Sequence, residues 1–441
     1  MIDRRSLLAA SAAALAAAPA VARAATATGP RAFPKGFLWS TATAGHQVEG
    51  NNLNADCWLL ENLQPTIFSE PSRDSANSFE LWPTDLDLVK DMGLNTYRFS
   101  LEWPRIEHEE GHFSIAMLDH YKAMIEGCRA RGLTPIVTFN HYTTPRWFAA
   151  QGGWTSARAP GLFARFRDKA ARHLAAGIGY ATTLNEPNIM EILRVVLPPQ
   201  IVSAQRAMLE AAAKASGTAK YAAGNAIDID DIDKATRNLI AGHRLGREAI
   251  KAVRPDLPVG VSLSMFDDQA ARPDSGGHSM RDAMREKLYG AWLEAVKHDD
   301  FLGVQNYERQ VWTAQGKLPT PKGVPVNYSG SEVYAPSLAN AVRFAHAATG
   351  LPILVSEHGV GTDDDSVRAA LIAAALGHLK TAMDAGVPVL GYLHWSLVDN
   401  FEWIFGYRVH FGLHSLDHAT FARTPKPSAA IYGAIARANA V

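Results

Sequence analysis

Hydrophobic residues along this chain recur in short, nearly continuous runs that turn polar at their C-terminal ends. Eight such runs lie at residues 36–44, 95–103, 134–142, 180–188, 259–266, 301–309, 353–360 and 389–397. They alternate with longer segments that have the apolar spacing of helices. Apolar runs of this kind are typical of parallel strands that are covered on both faces. The pattern therefore predicts eight parallel β-strands that alternate with α-helices.

Glycines mark the points at which several predicted helices give way to strands. Five of them directly precede such runs: Gly93, Gly132, Gly177, Gly350 and Gly386. Glycine just past the end of a helix adopts the left-handed conformation that closes the last turn. The spacing of these glycines fits a repeating unit of one strand, one loop and one helix. We therefore expect a left-handed glycine at each junction.

Eight alternating strands and helices favour an α/β fold with a single domain, a (β/α)₈ TIM barrel over residues 30–441. Its active site is expected at the C-terminal ends of the strands. The alternative is an open, doubly wound sheet. Such a sheet normally carries a glycine-rich phosphate loop after its first strand, and the segment "STATAGHQVEG" has no such pattern. We therefore predict the barrel.

The first 25 residues have the composition of an export signal. They combine the paired arginines Arg4 and Arg5, an alanine-rich apolar stretch, and small residues around Ala22 and Ala24 that suit a signal peptidase. The arginine pair favours the twin-arginine route, which carries folded proteins. The alternative is a disordered or membrane-anchoring tail. We expect residues 1–25 to be a signal peptide and the mature protein to be periplasmic or secreted.

Composition and charge narrow the class of partner. The 441 residues are 47% hydrophobic and 20% charged, as in a large globular protein, with a formal net charge of −1. There is no basic run interleaved with aromatic residues, so nucleic acid is not expected as a partner. No stretch after the signal has the length and apolarity of a membrane-spanning helix. Cys128 falls on an apolar helix face, which favours a place in the hydrophobic core. A single disulfide bond between Cys57 and Cys128 is the alternative that the sequence leaves undecided.

Polar and aromatic residues collect at the C-terminal ends of the predicted strands, where a barrel would gather them into one cup. They are Gln47, Arg98, His141, Asn185, Glu186, Asn306, Tyr307, Glu357, Trp395, Glu402 and Trp403. Glu186 and Glu357 belong to the fourth and seventh strands, which face each other across the barrel. Two carboxyl groups about 5 Å apart suit retaining glycoside hydrolysis, and their repulsion raises one pKa so that one group keeps its proton. The alternative is structural, with both acids in ion pairs and Glu357 neutralising Arg98.

The residue types around the two acids fit a sugar, which has hydroxyl groups around its rim and C–H groups on its faces. The rim is matched by Gln47, His141, Asn185 and Glu402, and the faces by Trp395 and Trp403. No residue in the set suggests a cofactor, and the histidines lack the spacing of a metal motif, so neither is expected. Two alternatives to hydrolysis stay open. One is transfer of the sugar to another acceptor, and the other is an exported sugar-binding barrel, which would be expected to have lost a carboxylate.

Ordered motifs along the chain resemble glycoside hydrolase family 1, the β-glucosidases and their relatives. They are "FPKGFLWSTATAGHQVEG" near the start, "YRFSLEWPRI" at 97–106, "TLNEPN" at 183–188, "NYE" at 306–308, "VSEHG" at 355–359, "HWSLVDNFEWIFGY" at 394–407, "FGLHSLD" at 411–417 and "RTPKPSA" at 423–429. The resemblance implies a retaining enzyme on a (β/α)₈ barrel. Its expected substrate is a small glycoside or oligosaccharide with a terminal β-linked sugar, in the first place glucose.

The resemblance also implies roles for the residues of the predicted cup. Glu186 matches the acid/base and Glu357 the nucleophile, while Asn185 is expected to bond the sugar 2-hydroxyl. The other expected substrate contacts are Gln47, His141, Glu402 and Trp403 to hydroxyl groups, Trp395 as a stacking surface, and Tyr307, which also holds Glu357. Arg98 and Asn306 are expected to orient the nucleophile.

The chain departs from the family pattern at two positions and in two segments. Tyr142 stands where the family usually has tryptophan, and His358 where it usually has asparagine. Residues 188–225 and 267–300 look unlike the family's loops, or shorter than them. Those loops shape the leaving-group side of the site, so the resemblance leaves the aglycone undefined.

Overall fold

Eight parallel strands close into a barrel in the computed structural model, which describes residues 30–271 and 280–441. The strands are β1 (Leu38–Ala42), β2 (Thr96–Ser100), β3 (Thr134–Thr138), β4 (Tyr180–Asn185), β5 (Val259–Ser264), β6 (Phe301–Asn306), β7 (Ile353–His358) and β8 (Val389–Trp395). Their order around the barrel is β1-β8-β7-β6-β5-β4-β3-β2, and neighbouring strands are parallel. The predicted (β/α)₈ barrel is confirmed.

Helices connect successive strands and cover the outside of the barrel. Those that follow β1 to β4 and β6 to β8 are Ser78–Asp91, Ile115–Ala130, Ala159–Leu174, Ile232–Val253, Ser337–Thr349, Asp365–Asp384 and Pro427–Ala438, and the connection after β5 contains Met280–Arg285 and Ala291–Ala295. Further helices in the loops are Gly45–Val48, Asp56–Asn62, Trp103–Ile106, Arg146–Ala150, Ile189–Val196 and Pro199–Ala215. Short strands form two small sheets outside the barrel, with Asp267–Ala270, Arg309–Thr313 and Gly316–Lys317 in one and His414–Leu416 and Arg423–Pro425 in the other.

The main hydrophobic core lies between the barrel and its helices. It joins strand residues such as Val137, Val261 and Val355 to helix residues such as Phe163 and Ile372, all of which are buried. A strand in this architecture has one face toward the helices and the other toward the barrel interior, so both faces are apolar over most of its length. This explains why the strand runs in the sequence are nearly continuous.

Four of the five junction glycines adopt the predicted left-handed conformation. The angle φ is +79° at Gly93, +73° at Gly132, +72° at Gly350 and +98° at Gly386. For Gly177 the prediction is wrong, because this residue ends a 3₁₀ turn with a negative φ. A Cβ atom at Gly177 would lie 2.3 Å from Cγ2 of Ile125. Close packing against the neighbouring helix therefore accounts for glycine at that position.

The strands end earlier than the sequence pattern predicts. β3 stops at Thr138 and β4 at Asn185, so the last residues of those predicted strands lie in loops. Tyr142 (φ +65°) and Glu186 (φ +42°) have left-handed backbone conformations, which a continuing strand does not accommodate. The polar residues of the barrel mouth therefore lie partly on strand ends and partly on the loops that follow them.

Cys57 and Cys128 are both buried and free, so the structure contains no bridge between them. Cys128 belongs to the main core, as its position on an apolar helix face predicts. Within the described ranges, no helix has the length and apolarity needed to cross a membrane. The predicted export segment, residues 1–25, lies outside the described residues.

Candidate active site

A cavity of about 530 Å³ opens at the C-terminal ends of the barrel strands. Nine of the eleven predicted site residues line it: Gln47, His141, Asn185, Glu186, Tyr307, Glu357, Trp395, Glu402 and Trp403. The other two, Arg98 and Asn306, are fully buried. The barrel topology thus brings residues from the whole length of the chain to one site.

Glu357 is the next-to-last residue of β7, and both of its carboxylate oxygens accept hydrogen bonds. Arg98 Nη1 donates to Oε1 at 2.6 Å, and the Tyr307 hydroxyl donates to Oε2 at 2.7 Å. Burial raises the pKa of Glu357, while the charge of Arg98 and hydrogen bonds from Tyr307, Arg98 and Gln305 act in the opposite direction. The surroundings therefore orient this carboxylate and stabilise its negative charge.

Arg98 is a fully buried cation on β2 that connects several parts of the site. Besides Glu357, its guanidinium donates to Ser356 O at 3.1 Å, to Thr138 Oγ1 at 3.0 Å and to Asn185 Oδ1 at 2.5 Å. A buried charge is tolerated only when it is paired and hydrogen-bonded. The ion pair expected by the structural alternative is therefore present for Glu357, and it places Arg98 where it also orients Asn185.

Glu186 follows the last residue of β4, and its surroundings favour the protonated form. Its N–H donates to Ser262 O at 2.8 Å, and the Tyr142 hydroxyl donates to its Oε2. Burial, and then the charge of Glu357, raise the pKa of Glu186 to about 8. A carboxyl group with that pKa keeps its proton at neutral pH. The two acids differ in their neighbours, because Arg98 bonds directly to Glu357 and therefore stabilises a negative charge there more than on Glu186.

Gln47, His141 and Glu402 form the polar part of the cavity beside the two acids. Gln47 Nε2 donates to Phe401 O at 2.8 Å and to Glu402 Oε2 at 3.3 Å. Burial, and then the charges of Glu357 and Glu186, raise the pKa of Glu402 to about 8. Gln47 Oε1 and His141 Nδ1 are buried without a hydrogen-bond partner in the described part of the chain. Both atoms lie on residues that line the cavity, so they are available to hydrogen-bond the hydroxyl groups of a ligand.

Two tryptophans add flat apolar surfaces to the cavity. The ring of Trp395 stacks on that of His141 with centroids 5.6 Å apart, and Trp403 stacks on His46 at 5.7 Å. Both indoles line the cavity. An aromatic face of this kind is suited to packing against the C–H groups of a sugar ring.

Asn306 does not orient Glu357, so that prediction is wrong. Its amide donates to Met265 O at 2.8 Å and to Glu308 O at 3.1 Å, and its Oδ1 accepts from Ser337 Oγ at 2.7 Å. These bonds use the side chain to hold the end of β6 against the neighbouring loops. Asn306 therefore supports the barrel rim and does not contact the nucleophile.

Two residues beside the acids were not among the predicted site residues. Gln305 pairs in register with Glu357, hydrogen-bonds to it, and donates from Nε2 to Asn185 Oδ1 at 2.7 Å. Side chains alternate between the two faces of a strand, so Gln305 shares the face of Glu357, while Asn306 lies on the other face. This alternation is the signal that favours Gln305 over Asn306 as a contact of Glu357. Tyr142 stood out in the sequence only as a departure from the family pattern, and nothing in the sequence shows that its hydroxyl reaches Glu186.

The histidines near the barrel mouth are used in hydrogen bonds. Nδ1 of His358 lies 2.8 Å from the Tyr392 hydroxyl, and Nδ1 of His394 lies 3.2 Å from the same oxygen. Across residues 30–271 and 280–441, no three His, Cys, Asp or Glu side chains are grouped as ligands of a metal ion.

Cleavage of a glycosidic bond requires a proton donor beside a carboxylate, and a surface that binds hydroxyl groups and a sugar face. The class that fold and site define is that of the glycoside hydrolases. Comparison with known families agrees, since the model of glycosyl hydrolase family 1 matches residues 30–235 and 304–441. The chain belongs to glycosyl hydrolase family 1, as its motifs predict, and it acts on O-glycosyl bonds.

Proteins of known sequence and structure resemble the chain over nearly its whole length. The crystal structure of the β-glycosidase BGL167 is 42% identical in sequence, with a TM-score of 0.86 and coverage of 93% of this chain and 98% of that one. The structure of β-glucosidase 1317 is 38% identical, with a TM-score of 0.87 and coverage of 91% and 98%. A β-glucosidase of Agrobacterium sp. is 29% identical over 92% of this chain and 95% of its own.

Proposed function

We propose that the protein is a retaining β-glycosidase that removes a terminal β-linked sugar, in the first place glucose, from a small glycoside. The observation that carries the proposal is the unequal pair of acids. Glu186, with a pKa raised to about 8, holds a proton, while Arg98 and Tyr307 stabilise a carboxylate on Glu357. The similarity to β-glucosidases supports the β configuration and the preference for glucose.

The two acids take complementary parts in the proposed reaction. In the first step a carboxylate oxygen of Glu357 attacks the anomeric carbon, and Glu186 gives its proton to the glycosidic oxygen. The bond between the anomeric carbon and the glycosidic oxygen breaks, and the aglycone leaves as an alcohol. The sugar remains on Glu357 as an ester. In the second step Glu186 takes a proton from water, whose oxygen attacks the anomeric carbon and releases Glu357. Two inversions give net retention.

The polar residues of the cavity are proposed to bind the sugar during both steps. Arg98 and Gln305 hold Asn185 Oδ1, which orients the Asn185 amide toward the 2-hydroxyl. A hydrogen bond to this hydroxyl strengthens as positive charge develops at the anomeric carbon. The remaining proposed contacts are Gln47, His141, Glu402 and Trp403 to the other hydroxyl groups, Tyr307 near the reacting carbon, and Trp395 against the ring face.

The proposal is tested with the purified mature chain on aryl β-glycosides of glucose, galactose, fucose, mannose, xylose and glucuronic acid. We expect turnover that is fastest with the glucoside and absent in Glu357→Ala. Glu126→Ala, which removes an exposed carboxylate, serves as the matched control and should keep wild-type activity. A folded Glu357→Ala enzyme with wild-type turnover would contradict the proposed reaction.

Rescue of Glu357→Ala by a small anion tests the stereochemical course. Azide or formate can occupy the space left by the carboxylate and attack the anomeric carbon once, which inverts its configuration. We expect an α-glycosyl azide from azide and a β-glycoside, identified by nuclear magnetic resonance. A β-configured azide product would rule out Glu357 as the nucleophile.

The location of the protein is a separate proposal that rests on residues 1–25. Their arginine pair, apolar stretch and small residues support export by the twin-arginine route to the periplasm. Release of the signal would leave the barrel domain in contact with glycosides outside the cytoplasm.

A further inference from the structure

One wall of the active-site cavity is formed by the helix Ile189–Val196. This helix begins three residues after Glu186, the proposed proton donor. The N–H of Ile189 donates to Glu186 O at 2.9 Å. The helix residues that line the cavity are Ile189, Ile192, Leu193 and Val196. They recur at the three- and four-residue spacing that places side chains on one face of a helix. The helix therefore turns a continuous apolar stripe toward the substrate.

The polar residues of the same helix are bonded to the protein. Arg194 pairs with Glu191, and its Nη1 lies 2.7 Å from Oδ1 of Asp233 on a neighbouring helix. Of the four apolar residues, Val196 is 48% exposed, Ile189 and Leu193 are partly buried, and Ile192 is buried. An apolar stripe in contact with water is unfavourable, and an apolar ligand that covers it is bound more tightly for that reason.

Apolar side chains also come from other parts of the chain. Phe68, Met265 and Phe266 line the same cavity. Met265 and Phe266 follow β5 and lie outside both ranges that match the family model.

The apolar walls lie on the leaving-group side of the site. Glu186 protonates the oxygen that joins the sugar to its aglycone, so a helix that begins three residues after Glu186 and lines the same cavity is placed to border the aglycone. The polar residues Gln47 and Glu402 are the proposed contacts of the sugar. A cavity of about 530 Å³ falls in the range that holds drug-sized ligands, which leaves room beyond one sugar ring.

We propose that the leaving-group subsite takes a bulky apolar aglycone, such as an aryl, long alkyl or fused-ring alcohol, in preference to a second sugar. The inference rests on the proposed glycosidase function and names the class of its substrate. The cavity is also lined by polar residues, among them Gln205, Asn225 and Gln310, but the four side chains of the apolar stripe offer a second sugar no hydrogen-bond partner. An apolar aglycone is stabilised by each carbon that the stripe removes from water.

The test compares alkyl β-glycosides of the sugar that the aryl panel identifies. Ethyl and hexyl glycosides have leaving groups of the same chemistry, so their difference in kcat/KM reports contacts to the alkyl chain. Each fully buried methylene is worth up to about fourfold in kcat/KM. We expect the hexyl glycoside to exceed the ethyl glycoside by at least about tenfold. A disaccharide with the same terminal sugar should be turned over more slowly than the hexyl glycoside.

Substitutions in the apolar stripe test whether its residues cause the preference for the hexyl glycoside. Leu193→Gln keeps side-chain length and helix propensity but places an amide in the stripe, and the hexyl-to-ethyl ratio should fall at least about threefold. The matched control is Val195→Gln on the same helix, since Val195, like Leu193, packs against the main core but does not line the cavity. The control should keep the wild-type ratio. Val196→Gln replaces Leu193→Gln if the latter does not fold.

The outcomes separate this inference from the proposed function. Equal kcat/KM for the ethyl and hexyl glycosides, or faster turnover of the disaccharide, overturns the inference and leaves the glycosidase function intact. A wild-type hexyl-to-ethyl ratio in both stripe variants also overturns it. If the folded wild-type enzyme cleaves no aryl or alkyl glycoside, the proposed function itself fails.

Discussion

At the scale of single residues, the chemistry depends on which of two buried glutamic acids keeps the proton. Both have a raised pKa, because burial disfavours a charge. Arg98 and Tyr307 contact Glu357 directly and stabilise its carboxylate. Glu186 receives a hydrogen bond from Tyr142 but forms no ion pair within the described residues. The neighbours therefore favour a charge on Glu357 over one on Glu186, which supports the proposed parts of nucleophile and acid, although the two side chains are chemically identical.

Removal of the acid should affect substrates according to their leaving groups. In Glu186→Ala, an activated aryl glycoside should still transfer its sugar to Glu357, because its leaving group needs no proton. Alkyl glycosides should lose at least about a hundredfold in kcat/KM. Stopped-flow measurement should show a burst of released phenol followed by slow turnover. An equal loss on activated and poor leaving groups would count against the acid role.

The pH dependence of kcat/KM should report the proton on Glu186. Activity requires this proton, so it is present below the Glu186 pKa of about 8 and is lost as pH rises through that value. The Tyr142 hydroxyl favours the carboxylate, so Tyr142→Phe should raise the pKa and move the alkaline limb upward by about one pH unit.

The control for this change is Tyr180→Phe, which removes a hydroxyl at the opposite end of β4 from the acid. Its pH profile should match that of the wild type. An alkaline limb that stays in place in Tyr142→Phe would show that the hydrogen bond does not set the Glu186 pKa.

At the scale of elements, the position of Tyr142 depends on the packing of two loops. A Cβ atom at Gly224 would lie 1.7 Å from the Tyr142 carbonyl oxygen, so only glycine allows this approach. Asp56, at the start of a short helix, accepts hydrogen bonds from Gly224 N and Thr144 Oγ1, each at 2.7 Å. The carboxylate thus fastens the loop after β3 to the segment that follows helix Pro199–Ala215. Contacts between loops therefore place the hydroxyl that reaches the acid.

Substitution of Gly224 should damage both stability and catalysis. Gly224→Ala forces the two loops apart and should lower the free energy of unfolding by about 1–3 kcal/mol. The displaced Tyr142 should also reduce kcat. Gly161→Ala is the control, because a Cβ there meets no atom within 4 Å and alanine favours the helix. Urea unfolding and aryl glycoside turnover measure both effects, and unchanged values for Gly224→Ala would contradict the packing argument.

At the scale of the whole molecule, the barrel holds the two glutamic acids within the ranges that match the family model. The loops at the ends of its strands are expected to set the specificity of this chain. The family model matches 30–235 and 304–441, which include both glutamic acids. Loops at the C-terminal ends of barrel strands vary without disturbing the core, because the core lies between strands and helices. The apolar wall combines helix Ile189–Val196, which lies inside the first matched range, with Met265 and Phe266, which lie outside both. Substrate choice is therefore expected to differ between relatives that share one reaction.

The proposed export also concerns the whole molecule, since the twin-arginine route carries folded proteins. Arg4→Lys combined with Arg5→Lys should abolish periplasmic activity, measured by fractionating cells and assaying aryl glycoside cleavage in each fraction. Arg23→Lys changes an arginine of the same segment outside the pair and should leave export intact. Full periplasmic yield from the double variant would exclude the twin-arginine route.

The sequence by itself determined the barrel and the two acids. Strand runs, helix-ending glycines and ordered motifs are local patterns, and the closed barrel follows from their repetition. Only the tertiary structure decided which residues contact the two acids. A shift of one residue moves a side chain to the other face of a strand, so Gln305 reaches Glu357 while Asn306 does not. The Tyr142 contact and the apolar stripe also depend on distances through space, which the order of residues along the chain does not contain.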